Sequence, residues 1–406
     1  MSWIQDVMDS TKEMESPTSF WYWSALASIS AVLKDSVWLS RGGAYKLYPN
    51  IYVMLLAGSA MKKGPPIGLA KEIVKLVGNT KVIVGRSSIQ GILKELGTIT
   101  SEPGGKVQKK SAGFIVASEF SSSLVEDPAA FNCLTDLYDR HYNIGEWKSL
   151  LKSESFSLRD PTVSMLVATN DPHLRDFVKE KDIYGGFFGR MFIIKEEQVS
   201  RLNSLVDDLE NPPIPTFLAE YLKKLATITG PFASISKTPE GRLYDEWYNE
   251  FYTNVRKQQI EDKTGTIGRF GDSVLKVAML LSLSERPELS ITMKAMEEAI
   301  SICEKLISGV RKATDFRGGM AQYADQKAMI MQELLARPER MISRPALLKK
   351  YWMHFNADEL DIIMRSFDES GAIKPHANGA VTMYEMPKHV WEGLHNHLKG
   401  KETRES

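Results

Sequence analysis

The stretch Ile51-Tyr52-Val53-Met54-Leu55-Leu56-Ala57-Gly58-Ser59-Ala60-Met61-Lys62-Lys63-Gly64-Pro65-Pro66 decides how the chain is read. Its uninterrupted apolar run describes a strand buried on both faces. The small residues that follow let backbone N–H groups converge, and Lys63 stands at the start of a helix predicted over Gly64 to Leu76. A helix start is a ready anion site, because its first N–H groups lack intrahelical acceptors and carry the positive end of the dipole. Pro65 and Pro66 are tolerated there for the same reason. Compared with G-x-x-x-x-G-K-[ST], Ala57 replaces the first glycine, Lys62 the second and Gly64 the hydroxyl residue, so Lys63 alone keeps its register. Taken by itself the segment is also compatible with a lysine-rich strand-to-helix turn.

Further runs at Lys81 to Val84, Phe114 to Ala117, Val163 to Thr169 and Met191 to Ile194 predict more strands. Helical stretches separate them, the pattern of a parallel α/β sheet covered on both faces. Phe114-Ile115-Val116-Ala117-Ser118-Glu119 is four apolar residues followed by Ser-Glu, which presents a carboxylate at a strand end. Glu119 is the candidate general base, and Ser118 with Glu119 the candidate metal pair. The next strand ends in Thr169-Asn170, whose amide is a candidate to orient water. Arg190, closing Tyr184-Gly185-Gly186-Phe187-Phe188-Gly189-Arg190, is a candidate to reach a neighbouring subunit's phosphates.

Residues 1–45 read as an N-terminal helical cap, with Ser16 expected to cap a helix that begins at Pro17. The α/β core is expected over 46–212 and a helical lid over 213–317. Residues 318–406 read as helices followed by a hairpin about Asn378-Gly379, the pattern of a winged helix-turn-helix. Fifty-one basic and fifty-one acidic residues among 406 leave no net charge, so nucleic-acid contact would have to come from local clusters. Cys133 and Cys303, far apart and outside any ligand pattern, argue against a disulfide scaffold or a zinc site and for a reducing cytoplasm. No segment reaches the length and apolarity of a membrane span, and no signal peptide is read.

Lysine loop, acidic strand end, asparagine strand end and arginine follow one another in the order of AAA+ ATPases. Together with Leu47 to Leu56, Lys62 to Pro66, Ser118 to Phe120, Leu134-Thr135-Asp136-Leu137-Tyr138-Asp139 and Gly185 to Arg190, this order resembles the helicase-like P-loop ATPases of phages and mobile elements. Those are distant relatives of the MCM-like and superfamily 3 helicases. The resemblance spans roughly residues 15 to 310. It implies ATP and Mg2+ as ligands, cradled by Gly58, Ser59, Ala60, Lys62, Lys63 and Gly64, and a homo-oligomeric ring, a hexamer, with nucleotide at subunit interfaces. It further implies that Lys63 meets the β and γ phosphates, Glu119 polarises water, Asn170 senses the γ-phosphate and Arg190 is the finger. Arg269 and Lys276 are candidates for a lid phosphate sensor; Lys276, among Val274, Leu275, Val277 and Ala278, reads equally as a snorkelling lysine.

With Gly64 and Ser118 the usual metal hydroxyl and aspartate are both absent, and Asp136 and Asp139 are nearby substitutes in sequence. Single-stranded DNA would meet two segments facing a ring pore. One is the loop 101–111, expected to be flexible, with Lys106, Lys109 and Lys110; the other is a hairpin over 146–159 with Lys148, Lys152, Arg159 and Trp147. The acidic helix Asn356 to Ser370 suits a protein contact at least as well as DNA. The expected activity is that of an ATP-driven replicative helicase acting beside a separate primase or polymerase. The alternative is a nucleotide-gated assembly or loading factor whose degenerate site hydrolyses weakly.

Overall fold

The computed structural model describes residues 2–84, 88–97, 100–102, 105–107, 111–120, 130–139, 146–150, 155–170, 174, 186–203, 212–257, 262, 264–314, 323–351, 355, 357–378 and 381–394. Contacts divide the chain into two units, Met1–Thr314 and Asp315–Ser406.

In the first unit α1 (Trp3–Thr11) is amphipathic, burying Trp3, Ile4, Val7 and Thr11 at helical spacing, and Ser2 caps it by accepting from the Gln5 N–H. Helix α2 (Thr18–Leu33) buries nearly all of its surface, as a helix apolar all round must. Its start differs from the expectation: Pro17 is the cap residue, without a side-chain bond, and the Ser16 hydroxyl donates 2.7 Å to the Lys62 carbonyl instead. Strands β1 (Val37–Arg41) and β2 (Tyr45–Leu47) then form an antiparallel pair that hydropathy did not announce, being short and half-exposed.

The chain continues through β3 (Tyr52–Leu56), α3 (Gly64–Val77), β4 (Lys81–Val84), α4 (Ile89–Leu96), β5 (Thr100–Glu102), β6 (Gly105–Val107), β7 (Ala112–Ala117) and α5 (Ala130–Tyr138). It then forms β8 (Glu146–Leu150), β9 (Ser155–Arg159), β10 (Thr162–Thr169) and β11 (Met191–Lys195). Five of these strands make one parallel sheet in the order β11-β3-β10-β7-β4. The five runs read as strands from sequence are these five, and the α/β class with a central parallel sheet holds.

Strand alternation sends Val53, Leu55, Phe114, Val116, Leu166, Ala168, Phe192 and Ile194 into one core with Ile67, Ala70, Ile73 and Val74 of α3 and with α2. The intervening residues face the other way. There the Tyr52 hydroxyl donates 2.9 Å to the Leu134 carbonyl and its ring meets Tyr138 of α5 and Phe187 at 4.9 and 6.1 Å. Helix α3, which follows β3, therefore covers one face, and α5 and Phe187 lie on the opposite face. A crevice opens between neighbouring strands at such a reversal, outside their carboxyl ends.

Helices α6 (Pro215–Leu225), α7 (Pro239–Lys257), α8 (Thr266–Glu285) and α9 (Met293–Thr314) complete the unit, with the two-residue strand β12 (Gly230–Pro231) beside β1. Leu218, Tyr244, Phe270, Val274 and Met296 from these helices enter the same core as the sheet.

The second unit holds α10 (Ala324–Leu335), β13 (Met341–Ser343), α11 (Arg344–Lys350), α12 (Ala357–Glu369), β14 (Lys374–Asn378) and β15 (Val381–Glu385), with sheet order β13-β15-β14 and its own core. Strands β14 and β15 pair from Lys374↔Glu385 to Asn378↔Val381, the hairpin announced by Asn378-Gly379. Glu333 of α10 accepts from Arg337, Lys350 and the Tyr351 hydroxyl at 2.7, 2.6 and 2.9 Å. Against the burial that alone would raise it, these bonds hold its carboxyl down at about 2.

Candidate functional site

Two edges of the parallel sheet carry the polar residues singled out from sequence. At the carboxyl edge, β10 holds its neighbours' exits in place. The Thr169 carbonyl accepts from the Ala57 N–H at 3.3 Å and the Ala168 carbonyl from the Phe120 N–H at 2.6 Å. Phe120 is buried, stacked against Phe131 and Phe187, and anchors the turn that exposes Ser118 and Glu119. The lysine loop, Asn170 and Ser118-Glu119 thus emerge from three adjacent strands, β3, β10 and β7.

Within the loop, Gly58, Ser59 and Ala60 are exposed, and Ala60 and Lys62 adopt φ of +65° and +50°. Left-handed backbone at a non-glycine residue costs about 1–2 kcal/mol each. Such alternation also turns successive N–H groups to one side, as an anion nest requires. Lys63 donates to the carbonyls of Ala57 and Gly58 at 2.6 and 2.8 Å, which folds its ammonium over the loop's mouth. Lys62 points elsewhere: its ammonium pairs with Glu15 at 3.1 Å and helps hold that carboxyl below its ordinary range. Its side chain ties the loop to the residues before α2 and does not line the cradle. Because Pro65 and Pro66 lack N–H groups, α3 offers fewer first-turn donors than an ordinary helix. Anion binding would rest on the loop's own N–H groups and on Lys63.

A nucleotide phosphate chain fits this edge: small exposed residues, a lysine and a helix start converge, and beyond its chain neighbours a Cβ built on Gly64 meets no atom within 4 Å. Mg2+ fits less fully. Ser118 and Glu119 are the oxygen-bearing side chains expected to serve it, and among the described residues no cluster of three His, Cys, Asp or Glu forms a ready metal site.

The amino edge is different in kind. Lys276 of α8 is buried, donates to the Asn50 carbonyl and side-chain oxygen at 2.9 and 3.0 Å, and lies 3.7 Å from the Tyr138 ring centre. Burial pushes its pKa down to about 7, opposed by Asp139 and Asp272 and reinforced by Arg190. Asn50 and the loop lie at opposite ends of β3, roughly 20 Å apart at strand rise. Lys276 therefore lies far from the loop of its own chain, and its ammonium is buried against Asn50 where a snorkelling lysine would reach water. Asp139, offered from sequence as a substitute metal ligand, also lies at this edge. It binds Arg190, whose Nε sits 3.1 Å from both carboxylate oxygens and whose Nη2 meets one of them. Arg190 Nη1 donates 2.7 Å to the Gly186 carbonyl. Asp136 lies on the last turn of α5. Arg269 donates 3.0 Å to the Gly265 carbonyl, and burial, with Arg190 nearby, lowers its pKa.

The two lysine-bearing segments also rise from the amino edge. The Ser111 N–H donates to the Arg159 carbonyl at 2.8 Å and the Thr162 N–H to the Ser111 carbonyl at 3.0 Å, joining their bases ahead of β7 and β10. The stretch expected to be a flexible loop contains the antiparallel pair β5 and β6, with Lys106 on β6. The expected hairpin is β8 and β9, with Lys148 on β8 opposite Ser157. Lys109, Lys110 and Lys152 lie outside the described residues. Sequence reasoning missed Asp139 as the partner of Arg190 and Asn50 as that of Lys276, because each pair is separated by at least 51 positions. No helix is long and apolar enough to cross a membrane among the described residues. Comparison with protein-family models and with curated proteins finds no match to this chain.

Proposed function

We propose that the first unit is the core of an AAA+ P-loop ATPase, with α1 and α2 as cap and α6 to α9 as lid, and that it drives a single-stranded DNA motor of the replicative helicase class. The observation that carries this reading is the adjacency of β3, β10 and β7, whose carboxyl ends lead into the loop of Lys63, into Asn170 and into Ser118-Glu119. Bound MgATP supplies the phosphoanhydride to be cleaved and the cation that neutralises it. Lys63 exchanges its two carbonyl acceptors for phosphate oxygens. Glu119 accepts the proton of a water that Asn170 orients, and the water oxygen bonds the γ-phosphorus as ADP leaves. Arg190 acts from a neighbouring copy in a hexameric ring, and the hairpins bearing Lys106 and Lys148 grip the strand. The second unit is read as a winged helix-turn-helix that docks protein, a primase or polymerase, through its acidic α12.

The alternative, a nucleotide-gated loading factor, draws support from Gly64 and Ser118, which deprive the metal of its usual side-chain oxygens. Phosphate release measured with and without single-stranded DNA decides between the two. The motor reading expects DNA-stimulated turnover that falls at least ~100-fold in Lys63→Ala and in Glu119→Gln. Nucleotide binding without turnover favours the loading factor, and turnover indifferent to both substitutions removes the site assignment.

A further inference from the structure

Resting on the ATPase reading, we propose that Asp139 is an intrasubunit latch that withholds Arg190 until a neighbouring copy's nucleotide competes for it. Arg190 is only 8% exposed. Its Nε and Nη2 are spent on the Asp139 carboxylate and its Nη1 on the Gly186 carbonyl, so all three nitrogens are engaged inside one chain. An arginine that serves a phosphate across an interface presents the same planar fork. Carboxylate and phosphate oxygens thus compete for one set of N–H groups, and the two arrangements exclude each other.

The backbone closes over the latched side chain. Gly186, at φ +77°, sits where an added Cβ would lie 2.9 Å from Arg190 Nη1, and a Cβ on Gly189 would lie 2.4 Å from the Thr264 carbonyl oxygen. The neighbouring charges make release feasible. Arg269 and Lys276 both interact electrostatically with Asp139 and with Arg190. With Arg190 withdrawn, Asp139 keeps the Arg269 guanidinium beside it, joined by the Lys276 ammonium where that is protonated, and both lose a like charge. Two states of comparable energy are what a switch requires.

The test is ATP turnover per subunit as a function of protein concentration, for the full chain and for Asp139→Asn, which keeps an acceptor for Arg190. The latch expects the half-maximal concentration to fall roughly tenfold, the effect of one charge-assisted hydrogen bond. Gly186→Ala, which crowds Nη1 without removing charge, moves it in the same direction. An unchanged or higher half-maximal concentration in variants that melt like the parent overturns the latch. So does an Arg190→Ala chain as active as the parent. Should both variants fail to fold, hydrogen exchange at Arg190 Nε in the unmodified chain decides: protection in dilute protein must fall on assembly with a non-hydrolysable ATP analogue, and protection that persists overturns the proposal. Turnover that survives Lys63→Ala would instead remove the ATPase reading on which the latch rests.

Discussion

The two edges of one parallel sheet are built on opposite principles. At the carboxyl edge Gly58, Ser59, Ala60, Ser118 and Glu119 are exposed and the backbone holds two left-handed non-glycine residues. At the amino edge Lys276 and Arg190 are buried and bonded to Asn50, Asp139 and Gly186. A group meant for a ligand must be left accessible, and the loop stores strain that a bound anion would repay. A charge inside the fold must be compensated, and removing its partner is costly. The contrast makes the carboxyl edge tolerant of substitution as far as stability goes, and the amino edge intolerant of it.

Asp139→Ala challenges that contrast most severely. It removes the carboxylate from a pair whose side chains are 8% and 16% exposed. It is expected to cost about 3–5 kcal/mol in denaturant unfolding, against less than ~1 kcal/mol for Lys63→Ala. Equal costs would abolish the distinction. Next in size is the pH response of Lys276. Its pKa in the fold is about 7, below the ordinary lysine value, so the unfolded chain binds the extra proton above pH 7. The destabilisation is fully present below pH 7 and is relieved as pH rises toward the unfolded value. Stability should therefore climb by about 2 kcal/mol between pH 7 and 9, and Lys276→Met should flatten that climb. The groups facing the ammonium, Asn50, Tyr138, Asp139, Asp272 and Arg190, are unchanged in that variant, so a slope that survives it belongs elsewhere.

The carboxyl edge was legible in sequence because its parts are local: each strand end is read from the apolar run that precedes it, and the five runs became the five strands. The amino edge was opaque because the bonds from Arg190 to Asp139 and from Lys276 to Asn50 join residues 51 and 226 positions apart. Hydropathy placed Lys276 on a buried helix but carried no sign of its acceptor. The pair β1 and β2 and the three-residue β13 escaped notice because strands so short show too little alternation. Ser16 looked like a cap by its position before Pro17, yet the hydroxyl serves the Lys62 carbonyl across the unit, a choice that only tertiary packing makes.

The smallest effect sharpens the comparison within the carboxyl edge. Gly64 opens α3 with φ outside the left-handed region, and beyond its chain neighbours a Cβ there meets no atom within 4 Å, so Gly64→Thr should fold, with crowding of its Cβ by Pro65 as the main cost. Threonine at this helix start restores the hydroxyl that the G-x-x-x-x-G-K-[ST] pattern places on the metal. Magnesium titrations of turnover should then show half-saturation several-fold lower than in the parent, because one more oxygen ligand joins those of phosphate and water. A parent and variant that respond identically to magnesium would mean that the metal is held without any help from this position, and that the glycine's role is to let the backbone approach the phosphates.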